Sequence, residues 1–231
     1  MGKPQLIGLD ADDTLWHHER HYQATQSFFA DMLKDHAEAE HVEERLLAAE
    51  KRNLAAYGFG IKGFTLSMLE TAIEVTDGKV TTATLKSILN AGREMLFHPM
   101  ELLPAVEEAL KQLHPDYHLV LITKGDLMDQ ENKLARSGLG DFFHGVEVVS
   151  DKTAEVYTKT FHRHGVSPEH AVMVGNSIKS DILPALAAGA YAVHIPHELS
   201  WVLDRAQAPA DTSRFFTIQT MAELPPLLAR L

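Results

Sequence analysis

Cysteine is absent from the chain, which excludes disulfides, thiolate nucleophiles and zinc–thiolate centres and fits a cytoplasmic protein. No apolar run approaches the roughly 20 residues that span a bilayer, so no membrane partner is expected. The run after Lys3 is also too short for a signal peptide and meets charge at Asp10. Basic charge is scarce: 21 Lys and Arg stand against 32 Asp and Glu, a net charge of −11. General binding to nucleic acid needs a basic face, and this balance excludes it. A small anionic substrate stays open, because a metal ion and a few lysines reverse the field locally. There are no internal repeats and no low-complexity tracts.

What is present suffices for a folded core: 231 residues, of which 45% are hydrophobic. Fourteen histidines invite a metal reading. The pairs His17–His18 and His162–His164 lack i,i+4 helical spacing with a third ligand nearby, so they are expected as solvated surface groups.

Hydrophobic patterning divides the chain in three. Residues 4–10, "PQLIGLD", read as a buried strand. From 17 to about 97 the pattern is helical, with Phe28, Phe29, Met32, Leu33, Leu46 and Leu47 on helical faces before Gly58. Leu66, Leu69 and Ile73 follow, then Leu85, Ile88 and Leu89 beyond a break at "TDGK". From Pro99 onward strands and helices alternate: a helix through Val106, Leu110 and Leu113, then strands at 118–125, 144–150, 170–176 and 191–196 separated by helices. A short strand and helix close the chain. Such alternation specifies an α/β fold with a mainly parallel sheet covered on both faces. The expected core is residues 1–15 and 99–231, and residues 16–98 form a helical insertion after the first strand, placed as a cap over the strand ends.

In such sheets ligands bind at the carboxyl ends of the strands. Four strands end in chemically suggestive residues: Asp10-Ala11-Asp12-Asp13-Thr14, Thr123-Lys124-Gly125, Lys152 in "SDK", and Asn176 with Asp181 in "GNSIKSD". Three neighbouring aspartates repel and lose hydration on burial, so a cation and a lysine are needed to offset them. Asp10, last on its strand, suits nucleophilic attack on phosphorus. Asp12, two residues on, suits protonation of the leaving alkoxide and later deprotonation of water. Mg²⁺ would find oxygen ligands in Asp10, the Asp12 carbonyl and Asp181. Thr123 and the amides of the Lys124-Gly125 turn suit phosphoryl oxygens, and Lys152 suits charge neutralisation.

With "DADDT", "ITKG", "SDK" and "GNSIKSD" in that order, the chain resembles the haloacid dehalogenase-like (HAD) hydrolase superfamily. More narrowly it resembles phosphatase-type members with an inserted helical cap of the first type. The resemblance implies a Rossmann-like doubly wound core, Mg²⁺ and an aspartyl-phosphate intermediate. Carried over by position, it makes Asp10 the nucleophile, Asp12 the acid and base, Thr123, Lys124 and Lys152 the phosphate and charge partners, and Asp181 a metal ligand. Three departures stand out. Asn176 replaces a frequent aspartate, leaving an amide oxygen to ligate the metal or orient its water with one charge less. Thr153 follows Lys152 where proline is usual, and Asp13 stands where glycine is frequent. A carboxylate at Asp12 favours phosphate esters over carbon–halogen bonds, which need no acid for an alkoxide.

The expectation is therefore an Mg²⁺-dependent phosphomonoesterase acting on a small phosphorylated metabolite, as monomer or homodimer. Haloacid dehalogenase and phosphomutase chemistry are the nearer alternatives, and a phospho-accepting switch or scaffold the remoter one. The stretch "YGFGIKGF" (57–64) reads equally as a substrate-contacting loop through Lys62 or a phenylalanine, or as a helix-to-helix turn. Trp16 and Trp201 are expected to pack.

Overall fold

The computed structural model describes residues 3–199, 201–210 and 213–231. Among these, six strands form one sheet: β1 (Leu6–Leu9), β2 (His118–Lys124), β3 (Gly145–Val149), β4 (Ala171–Gly175), β5 (Tyr191–His194) and β6 (Phe215–Thr217). Their order is β3-β2-β1-β4-β5-β6 and every pairing is parallel. The helices are α1 (Glu19–Met32), α2 (Ala39–Tyr57), α3 (Ile61–Val75), α4 (Thr82–Phe97), α5 (Val106–Leu113), α6 (Leu127–Ser137), α7 (Ala154–Arg163), α8 (Leu183–Ala187) and α9 (Leu224–Leu228). This is the Rossmann-like α/β arrangement expected from the alternating pattern.

The strands are apolar on both faces because both faces are covered. Ile7, Leu9, Leu119, Leu121, Val172 and Val174 pack on one side with Val106, Leu110, Leu224 and Leu228 from α5 and α9. Leu6, Val120, Ile122 and Met173 pack on the other with Tyr157 and Phe161 from α7 and with Ala185. Successive residues take opposite faces, as the two-residue period of a strand requires. β1 lies between β2 and β4, where the chain switches the direction in which it adds strands.

The chain divides into two compact units. One comprises the chain up to Glu19, Met100–Lys124 and Gln130–Leu231, and holds the sheet. The other comprises Arg20–Pro99 and Gly125–Asp129. It has its own core, built from Phe29, Leu33, Leu46, Ile61, Phe64, Met68 and Ile88.

The helical pattern needs a correction of phase. Its first stretch forms two helices, broken between Met32 and Ala39. Phe28, Leu66, Ile73 and Leu89 lie exposed. In α3 the buried stripe runs instead through Ile61, Phe64, Met68 and Ala72, about a third of a turn from the expected one. The stretch at 57–64 is a turn from α2 into α3, with Phe64 buried against Tyr22 at 4.8 Å. Lys62 Nζ lies 2.9 Å from Asp126 Oδ1. No helix among the described residues is long and apolar enough to cross a membrane.

At the sheet centre a Cβ on Gly8 would meet Ile122 Cδ1 at 2.8 Å and Met173 Sδ at 3.1 Å. Gly8→Val is expected to lower unfolding free energy by about 1–3 kcal/mol through overpacking, read as an earlier urea midpoint.

Candidate active site

β1 pairs Leu9 with Leu121 of β2 and with Val174 of β4. Asp10 and Asn176 therefore leave the sheet at the same carboxyl-terminal edge, beside the switch point, where Thr123 sits near the end of β2. Asp10 remains anchored to the ladder through its N–H, which donates to Val174 O at 2.9 Å. Its side chain is buried and both oxygens are engaged. Lys152 Nζ donates to Oδ1 at 2.5 Å, and Thr14 Oγ1 donates to Oδ2 at 2.9 Å. The same ammonium donates to Asp181 Oδ1 at 2.6 Å. Asp10, Lys152 and Asp181 are thus in direct contact although they follow three different strands.

Local chemistry holds each partner. Lys152 emerges from β3 just before α7, whose N-terminus is capped by Thr153 accepting from Val156 N at 3.3 Å. A proline at Thr153 would lack that cap, so the departure from the family pattern has a structural use. Asp181 lies in a π turn (Ile178–Ile182), where its Oδ2 accepts from Ser177 N at 2.9 Å. A Cβ on Gly175 would fall 2.2 Å from that oxygen. Glycine at the end of β4 is what lets the carboxylate lie against the strand. Asn176 is joined to Asp10 through Thr14, whose hydroxyl takes Asn176 N at 3.1 Å and lies 3.3 Å from Asn176 Oδ1.

The charges are unevenly matched. Burial pushes the Asp10 carboxyl up to about 7 against the pull of Lys152, with Asp181 adding to the rise. Burial alone would lower Lys152, but Asp10 and Asp181 hold it above the ordinary lysine range. Two buried carboxylates share one ammonium, and the further donors at this edge, the Asn176 amide and the Asp12 carbonyl, are all oxygens. That donor set and charge deficit fit a hard divalent cation such as Mg²⁺.

Asp12 belongs to a separate network. Its carboxylate accepts from Trp16 Nε1 at 2.7 Å, Gln130 Nε2 at 2.9 Å and Lys133 Nζ at 3.1 Å, with His18 Nε2 at 3.5 Å. Burial alone would raise its pKa. His18 and Lys133, helped by Gln130 and Trp16, overcome that and hold the carboxylate well below its ordinary range. Trp16 therefore packs and also positions Asp12. Lys133 and Gln130 escaped the sequence reading because they lie on the helical pattern of α6, where nothing local distinguishes them from solvated residues.

The remaining candidates fall nearby in different ways. Thr123 is buried at the end of β2, its hydroxyl 3.4 Å from Lys124 O. The Lys124 ammonium donates to Ser180 Oγ at 2.7 Å and to Asp204 Oδ1 at 3.2 Å, so its charge is engaged within the sheet unit. Asp13, at φ 59°, accepts from His18 N at 2.8 Å and Glu19 N at 2.9 Å and so fixes the entry into α1. Burial raises its carboxyl despite the nearby His197.

Comparison with known proteins follows the same lines. The family model for haloacid dehalogenase-like hydrolases matches residues 4–189. A glyceraldehyde 3-phosphate phosphatase of Methanopyrus kandleri is 27% identical over 199 residues, 83% of each chain. One of Methanothermobacter thermautotrophicus is 37% identical over 90 residues, 36% of this chain and 39% of that protein. With the latter the match thus spans well under half of the relative's length. A haloacid dehalogenase-like family hydrolase from Xanthomonas campestris superposes with a TM-score of 0.89 at 37% identity, covering 99% of this chain and 91% of that one.

Lys133→Met removes one of the two countercharges, beside His18, of a largely buried carboxylate. It is expected to cost about 3 kcal/mol of unfolding free energy, measured by chemical denaturation. Lys133→Arg, which keeps the charge, should recover a large part of it.

Proposed function

The chain belongs to the haloacid dehalogenase-like hydrolases, and we propose that it is an Mg²⁺-dependent phosphomonoesterase acting through an aspartyl-phosphate on Asp10. The observation that carries this reading is the bracing of both Asp10 oxygens, by Lys152 and Thr14, at the carboxyl end of the central strand. A carboxylate so held has its direction of attack set before substrate arrives, and phosphoryl transfer depends mainly on positioning and charge.

In the first half-reaction an Asp10 oxygen attacks phosphorus, the ester P–O bond breaks, and the leaving alkoxide takes a proton from Asp12. In the second, Asp12 takes a proton from water, the water oxygen attacks the same phosphorus, and inorganic phosphate leaves with Asp10 restored. Lys152 offsets the charge of the nucleophile and of the phosphoryl oxygens. The Thr123 hydroxyl and the main-chain N–H groups of the Lys124-Gly125 turn hold those oxygens. The donors around Asp12 favour its ionised form, which suits the base step. A phosphate dianion entering beside it raises its proton affinity and so suits the acid step. Asp10, Asp181, Asn176 and the Asp12 carbonyl would hold Mg²⁺. When bound, the ion polarises the phosphoryl group and stabilises charge on the transferred oxygens.

The substrate class we infer is a small phosphorylated metabolite, in keeping with relatives named as glyceraldehyde 3-phosphate phosphatases. The helical unit, inserted between β1 and α5, is assigned the selection of the substrate's non-phosphate part. Asp12 is the feature that favours this reading over dehalogenation, since halide departs without a proton. The lack of cysteine suits a cytoplasmic setting.

Turnover of a generic aryl phosphate with Mg²⁺ tests the assignment. Asp10→Asn is expected to lower kcat by at least about 10³-fold, and persistence of wild-type turnover in that variant would sink it. Asp12→Asn should trap ³²P on the protein during a single turnover, because an activated substrate can still phosphorylate Asp10 while hydrolysis lacks its base. Halide release from a 2-haloacid, with no phosphate release from any ester, would instead support the dehalogenase reading.

A further inference from the structure

Asp13, His17 and His197 bring one carboxylate and two imidazoles together, and their candidate donor atoms all lie within 4.8 Å of one another. The two histidines stand 180 positions apart in sequence, one in the segment after β1 and one in the segment after β5. All three residues belong to the unit that holds the sheet. We propose that they form a binding site for a borderline divalent transition-metal ion of the zinc class, separate from the Mg²⁺ donors around Asp10.

The geometry of the Asp13–His197 pair supports this. His197 Nε2 stands 3.7 Å from Asp13 Oδ1, with both side chains nearly buried. That separation is too long for a hydrogen bond. It is close to the roughly 3.4 Å between two ligands that each lie about 2.1 Å from one tetrahedral ion. On the far side of the ring, His197 Nδ1 lies 3.0 Å from Leu199 O and 3.3 Å from Leu199 N. In the tautomer that carries its proton on Nδ1, donation to the Leu199 carbonyl at the shorter of these distances turns the Nε2 lone pair toward Asp13, the second-sphere arrangement that orients metal-binding histidines. The two imidazole planes meet at 66° with centroids 5.8 Å apart, converging rather than stacking.

The carboxylate is held for the same purpose. Asp13 Oδ1 accepts from His18 N and Oδ2 from Glu19 N, and each oxygen keeps a second lone pair. His17 is fixed from its own backbone, which donates to Glu101 O at 3.0 Å. Small rotations of the imidazoles complete a site with two nitrogens and one oxygen, leaving a position for water. Imidazole donors suit zinc-class ions, whereas Mg²⁺ prefers oxygen and keeps its water. An ion there fastens the segment after β5 to the loop that runs from Asp10 into α1.

Zinc titration of the full-length protein in millimolar Mg²⁺, read by calorimetry and thermal melting, tests the proposal. The expected result is one zinc per chain with a raised melting temperature. The His17→Gln/His197→Gln double variant should bind at least about tenfold more weakly, while Asp181→Asn and His164→Gln should bind as wild type does. Zinc that is lost in Asp181→Asn or His164→Gln and kept in the double variant overturns the proposal, as does a wild type that binds none. Should the double variant fail to fold, zinc-edge anomalous diffraction from the wild type decides. A peak bounded by Asp13, His17 and His197 sustains the site, and peaks only elsewhere refute it.

Discussion

One ammonium shared by two buried carboxylates organises this molecule. Lys152 reaches Asp10 and Asp181 at 2.5 and 2.6 Å, in a setting where any of the three charges alone would be prohibitively desolvated. The groups come from the ends of β1, β3 and β4, so satisfying them requires three strands to finish at one level. The parallel sheet meets that requirement, and its pairing of Leu9 with both Leu121 and Val174 puts Asp10 at the centre of the edge.

The surroundings divide into two electrostatic regimes that suit two tasks. Around Asp10, negative charge exceeds positive, which raises its carboxyl and leaves room for a cation. Around Asp12, Lys133, His18, Gln130 and Trp16 supply more than enough compensation, and the carboxylate is held ionised. Two aspartates separated by a single residue thus differ widely in proton affinity because of their neighbours, the difference that the proposed nucleophilic and proton-transfer roles require. Lys124, the next cation along the edge, is drawn off by Ser180 and Asp204, so it does not blur the distinction.

The strands were legible because their apolar runs end abruptly in polar residues, and a two-sided buried strand has that signature. The four motifs marked strand ends whose residues the structure gathers at one edge. The helical block was legible as helix but not in phase. Leu66 and Ile73 lie seven residues apart on one face, yet Ile61, Phe64, Met68 and Ala72 form the buried stripe. Both stripes are apolar, and periodicity alone does not rank them. Thr14 was visible at the close of the first motif, but its bond to Asp10 depends on a loop geometry that spacing does not specify.

By itself the sequence determined the α/β alternation, the insertion after the first strand, and the residue types at four strand ends, because each is written in local pattern. Tertiary structure alone decided which of those residues touch. It joined Lys152 to Asp10 and Asp181 across 142 and 29 positions, brought Lys133 to Asp12 across 121, and set His197 beside Asp13 and His17. Charge and coordination act through space at a few ångströms, whereas sequence pattern reports only the periodicity of neighbours along the chain.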